Sequence, residues 1–160
     1  MLTPEQLPVL AAAMASDPAL TQWKLDRRDD LIAGYYNEAS SPAFIAWKSN
    51  VTIADTAKCF NGAEWAGMTS ANHTRLTDVV LWIPAGYNAG LPDIRAMFND
   101  IWSGAGGATT RANLLTAWKR TLRRGERLFA TGTGSDGVPG LPGSFEGLIA
   151  TGDVSAVLNV

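Results

Sequence analysis

Apolar side chains recur at three- and four-residue intervals along most of this chain, and runs of strict alternation are scarce. That period belongs to α-helices with one buried face. Leu31, Ile32, Tyr35 and Tyr36 form such a stripe and predict a helix over residues 26–38. Leu76, Val79, Val80 and Ile83 predict another over residues 74–83. Ile94, Phe98, Ile101 and Trp102 predict a third that starts at Pro92. Near the amino end, Thr3 can cap a helix, with Pro4 in its first position and Gln6 where a capping box wants Glu or Gln. Leu2 and Leu7 are spaced to staple across that cap. Pro8 sits badly in a helix interior, so the regular part is expected to begin after it, and Asp17-Pro18 closes the segment.

Residues 44–51 (FIAWKSNV) fit a short helix or a strand, and Thr52 can cap a further short helix running through Phe60. Residues 84–90 (PAGYNAG) read as a turn and residues 103–107 (SGAGG) as a flexible joint. The longest element is expected between residues 110 and 130. At 100° per residue, Leu115, Trp118, Leu122, Gly125 and Phe129 share one side, and Arg120, Arg123, Arg124 and Arg127 the other. The expected fold is therefore all-α: a compact helical bundle over residues 1–130 with a long amphipathic helix near its end. Residues 131–160 are expected to form an extended Gly/Pro-rich C-terminal arm, the whole being one domain.

Within that arm, Gly132, Gly134 and Gly137 complete the pattern G-x-G-x-x-G. A dinucleotide site needs a strand before such glycines and a helix opening after them, because the helix N-terminus supplies the N–H groups that face the phosphates. Here the expected predecessor is a helix C-terminus, and Val-Pro-Gly-Leu-Pro-Gly follows. The glycines are read as a left-handed helix stop followed by extended chain. Residues 145–160 then turn apolar again, so this tail has something to dock on. Phe145, Leu148 and Ile149 are the expected anchors, whether on its own domain or on a neighbouring subunit.

The 160 residues amount to one domain, and 46% apolar content is ordinary for a globular chain. No apolar run approaches the roughly 20 residues of a transmembrane helix, so no membrane contact is expected. The small-residue run LAAAMA at positions 10–15 is preceded by Glu5 and by no Lys or Arg, unlike a secretory signal, so synthesis and retention in a reducing cytoplasm are expected.

Charge changes the picture more. The net charge of −2 hides an uneven distribution: −4 over residues 1–110, +5 over residues 111–127 and −3 beyond. The arginines at 120, 123, 124 and 127 either form a solvated face or meet an acidic partner surface or phosphates, for which the guanidinium fork is suited.

Candidate chemistry is sparse. His73 is the sole histidine and Cys59 the sole cysteine. Cys59 reads as a small core residue beside Phe60. Asp29-Asp30 beside Arg27-Arg28 reads as helix-surface charge. No metal-ligand spacing and no cofactor motif is present, and no enzymatic role is expected. Of the six tryptophans, Trp118 and Trp102 are the first expected in the core, with one or two of the others at an interface.

Residues 41–51 (SPAFIAWKSNV), 101–111 (IWSGAGGATTR) and 118–136 (WKRTLRRGERLFATGTGSD), with FEG and a final DVSAVLN, resemble a family of small proteins encoded among the virion-morphogenesis genes of tailed phages and prophages. The resemblance implies a head–tail connector or adaptor, a structural protein of the virion made in the host bacterial cytoplasm. It further implies a homo-oligomeric ring touching other virion proteins such as portal or tail proteins. Head decoration, a tail role, or sequence-independent contact with the DNA backbone through the four arginines stand as alternatives.

Overall fold

The computed structural model describes residues 1–83 and 85–159; Pro84, the expected start of a turn, and Val160, the last residue of the apolar tail, lie outside them. The chain divides into two compact units. The first comprises residues 1–46 and 121–160, and the second residues 47–120.

In the first unit, α1 (Leu7–Ser16) follows a turn begun at Thr3. Only half of the expected capping box forms: the Thr3 N–H donates to Gln6 Oε1 at 2.8 Å, but Gln6 rather than Thr3 stands at the N-cap of α1, without a side-chain cap bond. Pro8 lies in the first turn of α1, where a missing N–H costs nothing, rather than just ahead of it. Asp17 ends α1, as expected, and its carboxylate caps a following 3₁₀ turn through the Ala19 N–H. Short α2 (Thr21–Leu25) and then α3 (Asp29–Asn37) complete the amino-terminal part. The unit closes with α9 (Arg124–Arg127) and α10 (Thr151–Leu158), and α10 packs on both α1 and α3. Leu10, Met14, Leu20, Ile32, Ile149 and Val154 form the centre of its core.

The second unit holds α4 (Ile53–Ala57), α5 (Gly62–Ala66), α6 (Ser70–Trp82), α7 (Pro92–Ile101) and α8 (Ala108–Ala117). Three of these start on side-chain caps at Thr52, Asn61 and Thr69, each an oxygen accepting orphan backbone N–H groups. Their core is aromatic. Phe98 lies 5.6 Å from Trp118 and 5.4 Å from Tyr87, ring centre to ring centre. Trp102 and Trp118 are fully buried, as the sequence suggested, and Cys59 is a buried core residue whose thiol pKa is raised by that burial. Burying side chains of this size stabilises the unit by about 1.5–3 kcal/mol each. The Tyr87 hydroxyl accepts from Trp118 Nε1 at 2.8 Å and lies 2.6 Å from Thr56 Oγ1, which itself donates to the Thr52 carbonyl.

Two expectations are corrected. The fold is mostly helical, but not purely so: β1 (Ile45–Trp47) and β2 (Lys119–Thr121) pair in a two-stranded sheet. The long helix over residues 110–130 is accordingly three elements, namely α8, β2 and α9. The apolar pattern misled for a geometric reason. Residues four apart, such as Trp118 and Leu122, fall on one side of a helix and equally on one side of a strand. Long-range backbone partners decide for the strand: the Lys48 N–H donates to the Trp118 carbonyl at 2.7 Å, and the Leu122 N–H to the Phe44 carbonyl at 2.9 Å. Leu115, placed on the apolar side by a continuous helix, is exposed, whereas Leu114 is buried.

The second correction concerns the carboxyl-terminal arm. Residues 131–159 are folded into the first unit rather than extended away from it. Thr131 and Leu141 exchange a pair of backbone hydrogen bonds, and Gly134 and Gly140 bond to the two faces of Ile45 through its N–H and carbonyl. The glycines here serve close packing. A Cβ on either Gly134 or Gly140 would collide with the Phe44 ring, and Gly134 also holds φ at +68°.

Candidate functional site

In the first unit, α3 and α9 line a surface cavity of about 380 Å³ together with the end of α1. Tyr35 and Tyr36 come from α3, Arg124 and Arg127 from α9, and Asp17 from the turn after α1. The spacing explains the convergence. Arg124 and Arg127 are three apart on one short helix, so both project to the same side. The α9 turn is held against α3 by the Arg124 N–H donating to the Glu38 carbonyl at 2.9 Å.

The two guanidiniums differ in what they already hold. Arg124 lies over the Tyr35 ring, 4.1 Å from its centre, and its Nη1 donates to Glu38 Oε2 at 2.5 Å and to the Tyr35 carbonyl at 3.1 Å. Arg127 is exposed and donates to the Pro42 carbonyl at 3.2 Å, with its guanidinium 5.8 Å from the Phe44 ring. Among the described residues it forms no ion pair.

The tyrosines differ as well. The Tyr35 hydroxyl donates to Asp17 Oδ2 at 2.8 Å, which raises its pKa. Tyr36 is 3% exposed, and its hydroxyl has no hydrogen-bond partner among the described residues. Burial pushes its pKa well above the ordinary phenol value, so it stays a neutral donor.

The four arginines expected to share one helical face are thus distributed over β2 and α9. Arg120 is in β2, Arg123 precedes α9, and Arg124 and Arg127 belong to it. The Arg123 N–H donates to Glu126 Oε2 at 3.0 Å and its guanidinium stands 3.9 Å from the same carboxylate. The expected anchors also part company. Phe145 and Ile149 are buried in the first unit's own core, while Leu148 is 57% exposed. Pro139 and Pro142 do not carry the tail away, because Gly143 packs against the Phe129 carbonyl with no room for a Cβ.

The second unit carries a different surface. A groove of about 240 Å³ is walled mainly by apolar groups, including Ile53, Phe60, Trp65, Val80 and Leu81. Beside Leu81 in sequence, Trp82 ends α6 with 84% of its surface exposed, and Leu81 itself is 70% exposed. The sequence pattern assigned Leu76, Val79, Val80 and Ile83 to a buried face, but Val80 is exposed, and Leu81 and Trp82 had no place in that stripe. Val79 is buried and Ile83 is half-buried, but Val80, Leu81 and Trp82 complete the circumference of the helix, so some of them must face water. The cavity residues Asp17 and Tyr36 were likewise not legible, since only the packing of α3 on α9 brings them beside the arginines.

His73 meets Trp65 edge-on at 4.6 Å and joins no acid–base pair among the described residues. Those residues contain no group of three or more His, Cys, Asp or Glu placed to hold a metal ion, and no helix long and apolar enough to cross a membrane. Comparison of the chain with protein-family models, with curated proteins and with solved structures gives no match.

Proposed function

We propose that this chain is a non-catalytic structural protein of a tailed-phage virion, assembled as a homo-oligomeric ring at the head–tail connection. The observation that carries the reading is the apolar surface at the end of α6, where exposed Leu81 lines an apolar groove and Trp82, next in sequence, is also exposed. Exposed aromatic and aliphatic groups in one place mark a surface that another protein covers, and tryptophan is the side chain that contributes most at such contacts. The sequence resemblance noted above supplies the setting: synthesis in the host bacterial cytoplasm, then incorporation beside portal or tail proteins. A ring needs a contact between unlike surfaces of successive copies. The α6 ridge supplies one such surface, and Leu148 is available on the first unit for another.

The alternative of sequence-independent contact with the DNA backbone draws on Arg120, Arg123, Arg124 and Arg127. It is the weaker reading, because Arg124 and Arg123 stand beside carboxylates of their own chain, at Glu38 and Glu126. Roles in head decoration or in the tail use the same ridge and differ only in which neighbour covers it.

Purified particles decide the matter. The protein remains with virions through density-gradient purification, and its deletion yields unjoined heads and tails. Leu81→Ser with Trp82→Ser leaves the fold intact and abolishes incorporation. Absence of the protein from particles, or normal particles from the double variant, would overturn the proposal. Retention of DNA on the purified protein at low salt, lost with the arginines, would favour the alternative.

A further inference from the structure

The cavity between α3 and α9 is built differently from the α6 ridge, and its chemistry has no part in the ring contact proposed above. Three features define it. Arg127 carries a charge that no carboxylate of the described residues neutralises, on a guanidinium at the cavity wall. Tyr36, almost wholly buried, lines the same wall and keeps its hydroxyl proton without an acceptor. Its hydroxyl oxygen, unlike the rest of the side chain, is not sealed from solvent, so it is free to donate to a ligand in the cavity. The remaining lining is mixed: Tyr35, Leu128, Ala13 and Pro18 give it apolar surface, beside Ser16, Ser41, Asp17 and Arg124.

From this juxtaposition we infer that the cavity is a binding site for a small monocarboxylate with an apolar body, its carboxylate held by Arg127 and the Tyr36 hydroxyl. A guanidinium meets a carboxylate through two parallel N–H donors, and a phenol O–H is the natural third donor to such a group. Asp17 selects the charge. Its carboxylate also lines the cavity, held by the Tyr35 hydroxyl and the Ala19 N–H. A doubly charged phosphate would be repelled by it more strongly than a single carboxylate, while Arg124 is already engaged by Glu38. The apolar body of the ligand would cover Leu128 and the tyrosine faces. The volume is within the lower part of the range seen for small-molecule sites, roughly 300–1,000 Å³.

The test is a titration of the full chain with benzoate, followed by the side-chain Nε–H signal of Arg127 in nitrogen-15 NMR spectra. Benzamide, the neutral analogue of the same shape, and inorganic phosphate form the parallel arms. The expected result is a saturable shift with benzoate, binding weaker by about tenfold or more for benzamide, and weaker still for phosphate. Arg127→Gln weakens benzoate by about tenfold or more, and Tyr36→Phe by several-fold. Neither change threatens the fold: Arg127 is exposed, and the hydroxyl removed from Tyr36 has no partner among the described residues. The absence of a saturable response overturns the inference. So does benzoate binding that both variants leave unchanged, or phosphate binding more tightly than benzoate. Virion incorporation is unaffected by either variant, so failure here leaves the structural role standing, and failure there leaves this site standing.

Discussion

Replacing Glu126 by alanine removes a carboxylate that is only 2% exposed and that joins two distant parts of the first unit. One oxygen accepts the Arg123 N–H at 3.0 Å, closing the first turn of α9, and the other accepts the Gly147 N–H at 3.0 Å, twenty-one residues on. Hydrogen bonds to a charged acceptor contribute about 1.5–3 kcal/mol each, and a buried donor left without its partner retains its full desolvation cost. The Arg123 guanidinium adds little, because it is 3.9 Å away and well solvated. Partial rescue of the Arg123 N–H by water lowers the total, so Glu126→Ala is expected to cost about 3–5 kcal/mol. That is a large part of the 5–15 kcal/mol typical of a folded domain. Glu126→Gln, which retains one carbonyl acceptor, is expected to cost about half as much. Urea unfolding of the three proteins gives the differences, and amide hydrogen exchange at Gly147 locates them. If residues 143–159 were instead an arm that detaches freely, Glu126→Ala would cost less than about 1 kcal/mol. The Gly147 amide would then exchange at an unprotected rate in the parent chain. Either result would refute the reasoning that the tail is part of the first unit's fold.

Three further outcomes follow from the geometry. Tyr87→Phe leaves the buried Trp118 indole N–H without its acceptor and is expected to destabilise by about 1–3 kcal/mol in urea unfolding, while Thr56 keeps its bond to the Thr52 carbonyl. Gly143→Ala sets a methyl group against the Phe129 carbonyl, a backbone atom that cannot swing aside, so thermal unfolding should show a loss of about 1–3 kcal/mol or more. Glu64 accepts the Thr109 and Thr110 N–H groups at 2.8 Å each, capping α8. Desolvation opposes its charge, but these bonds and the threonine hydroxyls outweigh it and hold its pKa down at about 2. A carboxylate with a lowered folded pKa stabilises above its unfolded value and loses that contribution as pH falls through the folded one. The stability gap between the parent and Glu64→Gln should therefore be full above about pH 5 and shrink between there and pH 2; a gap constant over that window would show that Glu64 does not cap α8 as a carboxylate.

The helical stripes and their punctuation were set by local sequence. Thr52, Pro92 and Asp17-Pro18 start or stop helices within a residue or two of where their side chains demand, because a cap is satisfied by groups three residues away, whereas the cap expected at Thr3 gives way to a turn and α1 starts at Leu7. The burial of Trp102 and Trp118 followed from size and apolar content. Everything that depended on partners far along the chain was decided by tertiary structure. Trp118 and Leu122 satisfy a helix and a strand alike, and only the carbonyl of Phe44 and the N–H of Lys48 select the strand. The arginines that a continuous helix would have set in one row are divided between β2 and α9 for the same reason. The glycine-rich tail carries no local preference for a fold, yet Phe44, Ile45 and Glu126 hold it in place through contacts and backbone hydrogen bonds. Local propensity reaches about one helical turn; the choice among chain paths that all satisfy it belongs to long-range hydrogen bonds and to the exclusion of water from the two cores.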